Sequence, residues 1–92
     1  MKAVINGVVL AESDETVLVE GNHYFPAGAV DKSYLQDSET HTLCPWKGKA
    51  NYYHAEIGGE KITDAAWYYP ELKSKALHIK NHVAFWPKYV SE

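Results

Sequence analysis

The segment Cys44-Pro45-Trp46-Lys47-Gly48 gathers the groups best suited to chemistry in this 92-residue chain. Pro45 fixes the backbone beside a thiol, and Gly48 permits close approach of a ligand or a strand. Lys47 supplies a cation that could lower the thiol's pKa or pair with an anion. Trp46 offers a flat apolar wall. Two readings follow: a pocket wall, with or without a reactive thiol, or a cysteine packed as a small hydrophobe beside a solvated lysine. As a nucleophile Cys44 would need a base, and His23, His41 and His54 are available. No spacing identifies the third residue that would orient that base, so Cys44 is a weak catalytic candidate.

Tyr53, Trp67 and Tyr68 could line an aromatic pocket, with Asp64 orienting a polar group of the ligand. The competing reading is a β-core in which aromatic residues pair across strands. Glu20 follows an apolar run and precedes Gly21, which makes it either a site residue or a solvated strand end. His78 and His82 stand at i, i+4, but Asn81 and the apolar run behind it speak against one continuous helix. A zinc site needs three or four ligands at workable spacing, so no metal and no cofactor are expected.

The elements that must position these residues read as short strands. Asn6-Gly7 between Ala3-Val4-Ile5 and Val8-Val9-Leu10 signals a type I′ hairpin, whose central residues both need φ > 0. Val17 to Glu20, a turn at Gly21-Asn22 and the run His23-Tyr24-Phe25 complete a four-armed meander. Asp31 is placed to cap one helical turn through Leu35, with polar loop chemistry from Asp37 to His41. Gly58-Gly59 joins Ala50–Ile57 to Lys61–Tyr69, Glu71 to Leu77 suits one or two helical turns, and Val83–Trp86 is a last strand. If Gly58-Gly59 is the loop, Ile57 faces Glu60 and Tyr53 lies opposite Asp64. Alternation then puts Tyr53, Ala55, Ile57, Ile62, Asp64, Ala66 and Tyr68 on one face. Tyr52, His54, Ala65, Trp67 and Tyr69 fall on the other, and since both faces are aromatic, both are expected to be covered.

Composition bounds the function classes. The size suits one domain over residues 1–92, and the aromatic content (three Trp, seven Tyr, two Phe) can stabilise its modest core. Nine Lys, no Arg and a net charge of −3 argue against a nucleic-acid partner. One cysteine excludes an internal disulfide and any CxxC pair. With neither a long apolar run nor a signal-peptide core, a soluble cytoplasmic protein with no membrane partner is expected.

The combination of Ala11-Glu12-Ser13, Val19-Glu20-Gly21, Tyr24-Phe25-Pro26, Cys44-Pro45-Trp46-Lys47-Gly48, Tyr52-Tyr53, Asp64-Ala65-Ala66-Trp67-Tyr68-Tyr69-Pro70 and Val83-Ala84-Phe85 resembles the bacterial family known as domain of unknown function 427. The resemblance covers nearly the whole chain. It implies a mainly β fold of compact antiparallel sheets with short helical turns, similar to the β-tent of Mss4-like proteins. The paired CxxC knuckles of many β-tent proteins are missing, so their structural zinc does not carry over. Some family members bear a nucleotidyltransferase label, but the paired carboxylates and Gly-Ser phosphate loop of such enzymes are not found here.

Two functions fit these residues. One is binding of an unknown small molecule, with or without catalysis, by Cys44, Trp46, Lys47, Tyr53, Asp64, Trp67 and Tyr68. The other is a self-associating interaction module, a homo-oligomer whose aromatic faces meet a partner.

Overall fold

The computed structural model describes residues 1–92. Strands take 59% of the residues and short 3-10 turns 16%, about half the helix share usual in globular proteins. Strands β1 (Lys2–Ile5) and β2 (Val8–Glu12) form the hairpin expected at Asn6-Gly7, with φ of 50° and 78° at the two turn residues. Strand β3 (Val17–Val19) pairs with β4 (Asn22–Pro26). The turn between them is Glu20-Gly21, one residue earlier than the Gly21-Asn22 expectation, with φ of 54° and 80°. Asp31 caps the 3-10 turn Lys32–Tyr34, its carboxylate accepting from the Ser33 amide.

Beyond that turn lie β5 (Leu35–Cys44), β6 (Gly48–Ile57) and β7 (Glu60–Tyr68). The polar stretch from Asp37 to His41, expected as a loop, belongs to β5. This strand is the edge of its sheet, so polar side chains there meet water and discourage further pairing. A 3-10 segment (Ser74–Ile79), β8 (His82–Phe85), a 3-10 turn (Pro87–Tyr89) and β9 (Val90–Ser91) complete the order.

The strands form two antiparallel sheets, β2-β1-β9 and β3-β4-β8-β7-β6-β5. The four arms of the first 26 residues therefore do not make one meander. The first two enter the small sheet and the next two the large one. At Gly58-Gly59 the register begins as expected, with Ile57 opposite Glu60 and Ala55 opposite Ile62. It then shifts, and Tyr53 pairs with Ala66 rather than with Asp64. Asp64, at φ 50°, sits in a bulge where Thr63, Asp64 and Ala65 stand against His54 alone. The bulge also turns Ala65 into the core between the sheets, against its expected face.

Two cores flank the large sheet. Between the sheets, Ala3, Ile5, Leu10 and Ala11 pack against Phe25, Ala55, Val83 and Phe85. Phe25 and Phe85 meet edge to face at 5.7 Å with no exposed surface, burial that contributes roughly 1.5–3 kcal/mol for each ring. On the opposite face Val19, Tyr24, Ala50, Trp67 and Ala84 are covered by Ala76 and Ile79 of the 3-10 segment. Both aromatic faces are thus covered, as the alternation implied. No helix is long and apolar enough to cross a membrane.

Candidate functional site

Lys47 is the one charged residue that is buried, at 5% exposure. It lies in the tight connection between β5 and β6, where Cys44 pairs with Gly48. Its Nζ donates to Glu20 Oε1, at the tip of the β3–β4 turn. The ammonium also lies 4.9 Å from the centre of the Trp46 ring and 5.6 Å from that of Tyr69. A buried charge is tolerated only when paired, and here a carboxylate and two ring faces meet that need.

The hydrogen bond from Lys47, together with its charge, outweighs desolvation and holds the Glu20 carboxyl below its usual range. Burial alone would pull Lys47 down, but the bond to Glu20 and the nearby Tyr24, Tyr69 and Cys44 raise it above its ordinary value. Lys47 is therefore an ammonium at neutral pH and not a free amine. Burial is also the main cause that pushes the Tyr69 phenol up to about 12 and raises Tyr24. Both hydroxyls keep their protons.

The connection is held against the segment that follows β7. Gly48 has φ of 120°, and a Cβ there would stand 2.8 Å from the Glu71 carbonyl oxygen. Gly48 bridges to Leu72, the Lys73 amide donates to Lys47 O at 3.1 Å, and Lys73 Nζ donates to Pro45 O at 2.8 Å. This is the close backbone approach that a glycine at this position allows. Trp46 stacks on His78 at 6.5 Å and 17°.

Cys44 is half-buried and lines a hollow of about 420 Å³ with Leu43, Pro45, Lys49 and Lys73. A second hollow of about 540 Å³ shares Gly48, Lys49 and Lys73 and extends over His41, Asn51 and Pro70. The two adjoin along the β5–β6 connection. His41 Nδ1 donates to Asn51 Oδ1 at 2.9 Å on its wall.

Apart from Cys44, the expected site residues divide into three groups. Trp46, Lys47 and Trp67 belong to the far-side face, with Trp67 buried there and its indole N–H donating to Tyr24 Oη at 3.2 Å. Tyr53 and Tyr68 stack at 4.7 Å and 19° on the face toward the small sheet. Asp64 binds Ser38 Oγ at 2.5 Å through Oδ1, and its amide donates to His54 Nδ1 at 3.0 Å. Ser38 thus meets the carboxylate and not the imidazole, so this Ser-His-Asp group lacks the nucleophile-to-base contact of a hydrolytic triad. Lys49 and Lys73, the cations that face the hollow beside Cys44, were not singled out by sequence reasoning. Lys49 had a usable signal, since it lies two residues beyond Lys47 in the following strand. Lys73 had none, because it arrives through the fold.

A family model described as domain of unknown function 427 matches residues 1–92. No curated protein matches the chain.

Proposed function

The chain belongs to the family of domain of unknown function 427, and from that premise we propose that it binds a small anionic molecule beside the Cys44–Gly48 connection. The observation that carries this reading is the pair of adjoining hollows that share Lys49 and Lys73, the smaller of them walled by Cys44 as well. Together they reach the size range of small-molecule sites. Lys47 acts from within: tied to Glu20 and Lys73, it fixes the connection and leaves ligand contact to Lys49 and Lys73. Trp67, Tyr53, Tyr68 and Asp64 support the sheet behind the site. Covalent chemistry would fall to Cys44, the one thiol of the chain, at the wall of the hollow.

A screen of carboxylates and phosphate esters, read by tryptophan fluorescence, tests this. A true ligand should also slow alkylation of Cys44 by iodoacetamide and bind more weakly to Lys49→Ala. Ligands that leave alkylation unchanged, or a screen without a response, would reject the site. Turnover that survives Cys44→Ser would reject catalysis by the thiol.

One observation favours self-association instead. Leu43 is 83% exposed on β5, a ten-residue edge strand whose outer backbone groups have no partner strand. Sedimentation of the wild-type chain and Leu43→Lys distinguishes the readings, since only an interface on β5 would make mass depend on residue 43.

A further inference from the structure

A third hollow, of about 190 Å³, lies over the stacked pair Tyr53–Tyr68, away from Cys44. Lys32 enters from the 3-10 turn capped by Asp31, Lys80 from the corner before β8, and His82 from the first position of that strand. We propose that this hollow is a binding site for a compact oxyanion, a phosphate or carboxylate group borne by a small molecule.

Charge argues for it first. Neither Lys32 nor Lys80 has a carboxylate within ion-pair distance, the ion pairs of the chain being Lys47–Glu20 and His54–Asp64. Two unpaired lysines that line one hollow present positive charge to any anion that enters it. Asp31, the nearest acid in sequence to Lys32, is engaged by the amide and hydroxyl of Ser33.

Local structure argues next. Asn81 has φ of 59°, the left-handed conformation that asparagine adopts more readily than other residues bearing a side chain, and its carbonyl accepts from the Ala27 amide at 2.8 Å. His82 Nδ1 donates to Lys80 O at 2.7 Å, which fixes the imidazole against the same corner. The corner is therefore set before any ligand arrives. Burial first, then the Tyr68 phenol and the Asp37 carboxylate, push Tyr53 up to about 12, so its hydroxyl retains the proton an anion would accept. Asp37, opposite Tyr53 in the ladder, opposes an anion here. Size sets the class: pockets for drug-sized ligands run from about 300 Å³ upward, so 190 Å³ admits the charged group and little beyond it.

NMR titration with inorganic phosphate and, separately, with acetate tests the site, with sodium chloride holding ionic strength constant. Saturable shifts of the His82 ring and of the Ala27 and Asn81 amides are expected, and the tighter-binding anion identifies the group. Lys32→Ala/Lys80→Ala, both exposed positions, should bind at least about tenfold more weakly, the loss of one charge-assisted hydrogen bond or more. Shifts no larger than those caused by chloride, an unchanged affinity in the double variant, or a response confined to Lys49 and Lys73 would each overturn the proposal.

Discussion

Lys47 and Glu20 stand 27 positions apart, and their side chains bond across the face of the large sheet that points away from the small one. The bond joins the β3–β4 turn to the β5–β6 connection, two loops from opposite ends of the strand order. The partners are unequal in exposure, at 7% for the lysine side chain and 53% for the glutamate. Loss of either one therefore has different consequences.

Lys47→Ala removes the three buried methylenes beyond Cβ together with the ammonium that lies against the Trp46 and Tyr69 rings, and should cost about 2 kcal/mol, measured by urea unfolding. Lys47→Met keeps most of that packing and should cost less. Glu20→Gln leaves the ammonium buried with a weaker acceptor and should also lower the unfolding midpoint. Equal stability of Lys47→Ala and the wild-type chain would mean that the stem packs against nothing of consequence.

The pair should also shape stability against pH. Glu20 is depressed below 4.5, so its contribution is present above that value and lost as pH falls through the folded pKa. Lys47 is raised above 10.5, so its contribution is present below that value and lost as pH rises through the folded pKa. The stability difference between wild type and Glu20→Gln should therefore be flat from about pH 5.5 to 9.5 and shrink on both sides. A difference that grows in acid would contradict the pairing.

Gly48→Ala should be among the most damaging small substitutions. It combines an unfavourable φ with a 2.8 Å approach to a backbone oxygen, and should cost about 2–3 kcal/mol. Gly28→Ala, with nothing within 4 Å, is the matched control and should be close to neutral. Thermal unfolding of the two variants side by side makes the comparison.

Asp64→Ala should cost about 1–2 kcal/mol, because it loses the Ser38 bond and places alanine at φ 50°. Asp64→Gly loses the same bond but relaxes the backbone, so it should be the milder change. Trp86, whose indole N–H donates to the Asp64 carbonyl at 2.6 Å, contributes to the fluorescence that reports on the bulge.

Those residues also mark what could be read from the chain before its fold was known. The turns at Asn6-Gly7 and Gly58-Gly59 were legible because glycine and asparagine announce φ > 0. The bulge at Asp64 was not, since an aspartate seldom takes that conformation and no glycine flags it. Alternation had already separated Trp67 from Tyr68, for neighbours on a strand face opposite ways, and their joint pocket wall conflicted with it. The partner of Lys47 could not be found by spacing, although Glu20 stood out beside a turn. Asp37 to His41 looked like a loop because an edge strand, wet along its length, carries the same polar residues as one.

Strand β8 occupies the third place in the large sheet, between β4 and β7, although it follows both in the chain. Until residues 82–85 arrive, the β3–β4 hairpin and the β5–β6–β7 unit share no hydrogen-bonded seam. Phe85 and Ala84 then complete the two cores on opposite faces in one step. Assembly is accordingly keyed to a single late insertion, which favours slow, all-or-none folding over stepwise growth. Nascent or proteolysed chains lacking that strand would display two open strand edges and adhere to one another, so the yield of native protein should fall abruptly, not gradually, as β8 is shortened.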